Sequence, residues 1–359
     1  MMNKSISVSI NRLDAGIAMK IAIAGLGPAG SYLGALLADK HQVDIYEGQE
    51  KDRFTSICAW ATAEGGARQL LKQIGVNFED YILHKGKKMY ISAFNEIFSI
   101  DAPELVTFDK PRMIHDVADG LNVHFDTFVR QGELDDKYDL VIDATGPYRK
   151  VLGPVQTGRD MILPTFQWLV KYKELPFDDF YIEPFSNFTG YLWYFPLGDH
   201  DAFVGAGDIL KHHRAKVEDF LKRYPPAEKV RTMGKPIRVA APSSVTPHRR
   251  EKVIGVGEAI GTVYPILGEG ILPSMFAAKL LSENLDDAMR YSKSIKKKFS
   301  AYDLSYDYIL RKINHKDNFF NSFPAAVRIF IWFKRNFMIT GVNPSLWQTL
   351  KVLRPRRKG

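Results

Sequence analysis

One segment, Gly25-Leu26-Gly27-Pro28-Ala29-Gly30, constrains this chain more than any other feature, because it lies between an apparent strand and an apparent helix. Lys20 to Ala24 (KIAIA) is short, apolar and closed by glycine, which predicts a buried parallel strand. Ser31 to Asp39 carries Leu33, Leu36 and Leu37 at helical spacing, and Gln42 to Tyr46 (QVDIY) reads as a second strand ending at Glu47. In that setting each glycine has a separate task. Gly25 makes the tight turn, Gly27 lets the backbone approach a pyrophosphate, and Gly30 lets helix and strand pack closely. Ala29 lies in the loop just before the helix, whose free N-terminal N–H groups and partial positive charge suit phosphates. Glu47 stands at about the twenty-residue offset expected of a carboxylate on an adenosine ribose, which disfavours a 2′-phosphate there. The segment implies dinucleotide binding without saying which dinucleotide.

A single cysteine, Cys58, excludes an intrachain disulfide and a cysteine-based zinc or iron–sulfur cage, so no metal site is expected. A reducing, cytoplasmic setting fits that usage. The formal charge of +8 calls for an anionic partner such as a phosphorylated cofactor or a lipid headgroup. Zinc-finger spacing and an aromatic–basic RNA signature are both missing from the sequence, so no nucleic-acid partner is expected. Residues 1–18 lack a signal-peptide apolar run and are expected to form an extension, or to precede a true start at Met19. No stretch is apolar for the roughly eighteen residues of a spanning helix.

The expected architecture is α/β, with a Rossmann-like cofactor domain made of residues 19–160 and 250–290. Alternation in Lys88 to Ile100 predicts a small hairpin region near 85–110 that interrupts it. Val123 to Phe128 and Asp139 to Ala144 read as further strands. Residues 161–249, rich in aromatic and β-branched side chains between Trp168 and Asp208, are expected to form an inserted antiparallel-sheet domain that holds substrate. Lys216 to Tyr224 and Leu272 to Asn284 read as helices, and residues 291–359 as a helical, basic and aromatic C-terminal region.

Two later segments choose the cofactor. Asp139 to Gly146 (DLVIDATG) resembles the second fingerprint of flavoproteins, where a strand ends in A-T-G beside the adenine half of FAD. Gly255-Val-Gly257-Glu258-Ala-Ile-Gly261 and Pro265-Ile-Leu-Gly268-Glu269-Gly270-Ile271 resemble the G-D-A-A-G…P…G-E-G-I block of the FAD-dependent reductases and hydroxylases of glutathione-reductase-like fold. That resemblance, which spans about Met19 to Asn284, implies FAD held by Gly146, Gly257, Glu258, Gly268, Gly270 and Ile271. Glu258 stands where those proteins usually have aspartate on the ribityl chain. The helix after Gly270 would point its N-terminus at the flavin. Phe108-Asp-Lys-Pro-Arg112 falls where they have a D-R stretch, which places Arg112 toward the cofactor.

Tyr191-Leu-Trp193-Tyr-Phe195-Pro196 resembles the Y-x-W-x-F-P element of the geranylgeranyl reductase family, flavoproteins that saturate isoprenoid double bonds. On a strand, Tyr191, Trp193 and Phe195 share one face. Ile57-Cys58-Ala-Trp60-Ala sits where those reductases place a cysteine near flavin and substrate. The resemblance implies hydride transfer from reduced flavin N5 plus protonation, with Cys58, Tyr191 and Trp193 as catalytic groups. Trp60, Phe195 and Pro196 would line the channel for an isoprenoid lipid, and electrons would come from NAD(P)H or a ferredoxin-like carrier. Two other readings compete with it. One is a flavin-dependent monooxygenase or halogenase of a small aromatic substrate; halogenases rely on an active-site lysine, and the sequence assigns none. The other is an FAD-stabilised lipid-binding protein without catalysis.

Phe319 to Phe337 interleaves Phe319, Phe320, Phe323, Trp332 and Phe333 with Arg328, Lys334 and Arg335, followed by Arg354-Pro-Arg-Arg-Lys358. This composition suits a helix in a membrane interface, and it suits equally a helix packed on the core with a solvated basic end. Peripheral contact through residues 319–358 with the inner face of the cell membrane is the expectation.

Overall fold

The structure, a computed structural model, describes residues 18–353. The expected N-terminal extension up to residue 17 and the basic run Arg354–Lys358 lie outside the described residues.

Apolar strands with no polar face must be covered on both sides, and three such strands, Val253–Gly255, Leu140–Asp143 and Lys20–Ala24, form the centre of the first layer. A six-stranded sheet runs in the order Arg249–Arg250, Val253–Gly255, Leu140–Asp143, Lys20–Ala24, Gln42–Tyr46 and Asn122–His124. All neighbours are parallel except the Arg249–Arg250 edge. Ile23 lies between Ile45 and Ile142, and all three are fully buried. The first helix is Pro28–Leu37, starting three residues earlier than expected because proline is pre-set for the first helical position. The strand expected over 123–128 stops at His124, and two residues on Asp126 takes a left-handed backbone at φ +51°.

A seven-stranded sheet forms the second layer, in the order Glu228–Met233, Thr165–Lys171, Asp201–Asp208, Gly190–Gly198, Phe180–Pro184, Lys88–Ala93 and Glu96–Asp101. The hairpin expected to interrupt the cofactor domain is therefore the far edge of this sheet. Lys88–Ala93 pairs in parallel with Phe180–Pro184, setting Ile91 beside Ile182. An isolated two-stranded hairpin is marginal in water, and a third strand relieves that. A small sheet of Ala61–Ala63, Leu105–Phe108 and Ile82–Lys85 connects the two layers.

Five helices follow: Ala288–Lys298, Ala301–Ile313, Phe319–Arg335, Phe337–Thr340 and Leu346–Val352. Phe319–Arg335 opens with a reciprocal Asn318–Asn321 capping box and buries Ala325, Ala326, Ile329 and Phe333. Burial of Ile329 and Phe333 contributes about 1.5–3 kcal/mol each, and Trp332 stacks on buried Tyr264 at 4.0 Å. One face of the helix is thus packed on the core. Its first turn is not: Phe319 and Phe320 are 61% and 87% exposed. Among the described residues no helix is long and apolar enough to cross a membrane.

Candidate functional site

The three glycine segments converge at the carboxyl ends of the first-layer strands, the edge where open α/β sheets bind ligands. Gly25 has φ +103°, and a Cβ there would stand 2.5 Å from the Ala144 carbonyl oxygen. A Cβ on Gly30 would stand 2.0 Å from the Gly25 carbonyl oxygen, so helix and loop touch as the spacing predicts. Gly27 differs from both: nothing lies within 4 Å of a Cβ built there, and the space it leaves open belongs to a cavity.

Glu47, at the end of the second strand, accepts the Leu26 backbone N–H at 3.0 Å and the Gln49 N–H at 3.0 Å. It ties the glycine loop to the neighbouring strand. Buried Asp143 organises the second segment by accepting from Thr145, Val151 and Leu152 backbone amides. At Gly146 (φ +68°) a Cβ would lie 3.3 Å from Glu258 Oε2 and 3.6 Å from Lys235 Nζ. Second and third segments therefore meet at that point. Glu258 also accepts the Arg238 backbone N–H at 2.7 Å, and burial pushes its carboxyl up against the opposing pull of Lys235. Gly257 packs on Ala29 and Ser274 at the back of the site.

Arg149 was missed by sequence reasoning. Only 2% exposed, it donates to the carbonyls of Gly153 (2.8 Å), Pro247 (2.9 Å) and Ala259, binding the second segment to the third. Burial pulls its guanidinium down to about 10, so it stays charged at neutral pH. A lone arginine after A-T-G carries no local pattern that could have flagged it.

One cavity of about 760 Å³ joins this phosphate-type edge to an apolar compartment between the seven-stranded sheet and the C-terminal helices. Gly25, Gly27, Ala29, Glu47, Gly146, Glu258, Gly268, Gly270 and Ile271 border one part of it. Met89, Ile182, Phe195, Phe333, Ile339 and Val352 border the other. The volume is that of a small-molecule site. The far wall is fastened to the sheet: Gln348 donates to the Ser99 carbonyl at 2.8 Å, Lys351 pairs with Glu96, and Tyr308 donates to the Leu353 carbonyl at 2.6 Å.

Several expected site residues sit elsewhere. Arg112 points outward, with its guanidinium 5.3 Å from the Tyr81 ring centroid and bonded to the Asp80 carbonyl. The cation of that stretch that borders the cavity is Lys110, which is 6% exposed. The reason is helical: Lys110 begins the helix Lys110–Val117, capped by Asp109, and a residue two places on faces a different side. Trp193 and Pro196 do not border the cavity. Trp193 lies under the sheet surface against Gly205, which has no side chain to exclude it, and meets Tyr191 edge-on at 5.8 Å. Pro196 offers its carbonyl to Thr107 instead.

Cys58, Trp60, Tyr191 and Phe195 do border the cavity. Trp60 stands edge-on to Phe203 at 4.9 Å. The Tyr191 hydroxyl donates to the Leu267 carbonyl, and burial raises its pKa well above the ordinary phenol range. That phenol is held, and it is a poor proton donor at neutral pH. Glu269, inside the third segment, accepts from Thr62 Oγ1 at 3.1 Å and the Leu272 N–H at 3.0 Å. Its exposure is to the cavity and not to outer water, and burial pushes its carboxyl up to about 7.

The fold is one that solved FAD-dependent oxidoreductases share. The chain superposes on a geranylgeranyl bacteriochlorophyll reductase-like protein of Thermoplasma acidophilum with a TM-score of 0.68 at 17% identity, over 81% of this chain and 87% of that one. A probable FAD-dependent monooxygenase of Pseudomonas aeruginosa superposes with a TM-score of 0.58 at 16% identity, over 81% and 94% of the two chains. In sequence, an uncharacterised protein of Methanocaldococcus jannaschii is 26% identical over 79% of this chain and 90% of its own. A geranylgeranyl diphosphate reductase of Synechocystis is 28% identical over half of each chain. No family model matches.

Proposed function

We propose that this chain binds FAD across the three glycine segments and saturates carbon–carbon double bonds of isoprenoid chains held in the apolar compartment. The observation that carries the reading is the single cavity: a dinucleotide-type edge opens without a partition into an apolar space walled by Phe195, Ile182, Ile339 and Val352. An isoprenoid chain has no hydrogen-bonding groups and needs such a wall. The residues present fit the cofactor. Gly27 leaves room for a pyrophosphate, Glu47 and Glu258 supply carboxylates where ribose and ribityl hydroxyls would lie, and the helix Ile271–Ser282 opens toward the ring end.

When bound, FAD supplies a hydride equivalent for transfer to carbon. The chain's own part is to hold the alkene against that end, exclude water and provide a proton. Trp60 and Tyr191 present aromatic faces able to stabilise positive charge developing on the alkene. Electrons would be delivered by NAD(P)H or a small carrier. Exposed Phe319, Phe320 and Phe323, with Phe319 stacked on Phe323 and edge-on to Phe320, would rest in a membrane interface from which the lipid enters.

The likeness to a geranylgeranyl diphosphate reductase over half of each chain supports this reading. A monooxygenase or halogenase reading has one supporting observation: Lys110 borders the cavity although the sequence assigned no lysine there. The discriminating experiment reduces the FAD-bound protein under anaerobic conditions and adds a geranylgeranyl lipid. Reoxidation of the flavin by the lipid supports the proposal. Flavin that stays reduced until oxygen and a small aromatic compound are admitted contradicts it.

A further inference from the structure

Phe128 and Tyr148 are large rings that the fold leaves 79% and 52% exposed, and both border the cavity. A single exposed ring is ordinary on a protein surface. These two are held in place at one site. The Phe128 ring lies against Gly48, where a Cβ would stand 2.4 Å from its Cε1, so a glycine there gives the ring room on the loop just past Glu47. The two loops are laced together. The Thr127 N–H donates to the Glu47 carbonyl at 2.9 Å, and the Asp126 N–H to the Gln49 carbonyl at 3.0 Å. Tyr148 closes the short turn Gly146–Tyr148. After it, Arg149 is buried at φ +46° and fixed by its three carbonyls, while the Lys150 N–H donates to Thr145 Oγ1 at 2.9 Å. The turn is therefore anchored on both sides of the exposed ring.

A dinucleotide presents its groups in a fixed order: pyrophosphate, ribose, base. The open space at Gly27 marks the first and the Glu47 carboxylate marks the second. The base is bonded directly to the ribose, so it must lie within one sugar of Glu47. Sheet order decides what it meets there. The strand Asn122–His124, which leads to Phe128, lies on one side of the two strands that carry Gly27 and Glu47. The strand Leu140–Asp143, which leads to Tyr148, lies on the other. The two rings thus flank the phosphate-and-ribose line, and each offers a flat apolar face. A purine is flat and apolar on both faces, and stacking on aromatic side chains is a main source of its binding energy.

We propose that Phe128 and Tyr148 form an aromatic clamp that stacks on opposite faces of the adenine ring of FAD, and that this clamp sets the preference of the site for FAD over FMN. The clamp rests on the cofactor part of the reading above and is independent of the isoprenoid part. The Lys150 ammonium, 5.5 Å from the Tyr148 ring centroid, covers one face of that ring and leaves the other to the base. Covering the two rings removes apolar surface from water that the fold alone leaves exposed.

The test titrates the cofactor-free protein with FAD and, separately, with FMN, which has the flavin, the ribityl chain and a phosphate but no adenosine. Flavin fluorescence reports binding. Phe128→Ala and Tyr148→Ala should each weaken FAD about ten-fold and leave FMN unchanged. Phe128→Tyr and Tyr148→Phe, which keep a ring, should bind FAD as the wild type does. Both rings are exposed, so the melting temperature of the cofactor-free alanine variants should equal that of the wild type. Should FMN bind too weakly to titrate, that unchanged melting temperature separates loss of stacking from general damage. Wild-type FAD affinity in either alanine variant overturns the clamp and leaves the cofactor reading standing. An equal loss for FAD and FMN, or a lowered melting temperature, also overturns it. A wild-type protein that binds neither flavin removes the cofactor reading and the clamp together.

Discussion

Glu269 offers a perturbation whose size can be worked from the structure. Its carboxyl accepts from Thr62 Oγ1 and the Leu272 N–H, and burial, the largest influence, raises it from 4.5 to about 7. In the folded protein it is therefore protonated across a range where the unfolded chain has already ionised it. The folded state binds the extra proton, so stability is full below about 4.5 and falls as pH rises toward about 7. Each pKa unit is worth about 1.4 kcal/mol, which sets an upper limit of about 3 kcal/mol. Water in the cavity reduces this, so about 1–3 kcal/mol is expected. Glu269→Gln keeps both accepted hydrogen bonds and cannot ionise. Urea unfolding of the cofactor-free protein at pH 5 and pH 8 is the assay. The variant's advantage over the wild type should grow by about 1–3 kcal/mol from pH 5 to pH 8. An equal difference at both pH values, or an advantage that shrinks at pH 8, refutes the reasoning.

Other predictions separate folding from binding. Gly27→Ala should leave the stability of the cofactor-free protein within about 0.5 kcal/mol, because its Cβ meets nothing within 4 Å, yet the protein should purify without flavin; bound flavin at the wild-type level counts against the pyrophosphate site. Arg149→Met strips three carbonyls of their donor and should lower unfolding free energy by about 2–4 kcal/mol, read by denaturant titration. Phe319→Ser with Phe320→Ser and Phe323→Ser should reduce sedimentation with anionic liposomes several-fold at unchanged melting temperature, since these rings are exposed.

Local chemistry made the cofactor edge legible. The tasks of Gly25, Gly27 and Gly30 are set by neighbours within a few residues, and their spacing told them apart before any contact was known. Cys58 and Tyr191 reached the cavity for a similar reason, each lying in a recognisable short pattern. What stayed hidden depended on partners far along the chain. The Lys88–Asp101 hairpin joins the sheet through a parallel pairing with Phe180–Pro184, which no hairpin pattern reveals. Lys110 and Arg112 differ by two residues, and only the start of a helix decides which one turns inward. Strand alternation put Trp193 on the face of Tyr191 and Phe195, but the space above Gly205 lets its ring lie under the surface. The C-terminal helix carried both apolar bulk and charge, and its packing on Tyr264 follows from a contact with a distant loop.

The most direct test of the central claim is the mass of the lipid recovered after anaerobic incubation of the reduced, FAD-bound protein with a lipid carrying unsaturated geranylgeranyl chains. The cavity joining the glycine segments to the Phe195–Val352 compartment predicts product heavier in steps of two hydrogen masses, with flavin oxidised in proportion. Lipid recovered at its starting mass beside flavin that remains reduced would contradict it.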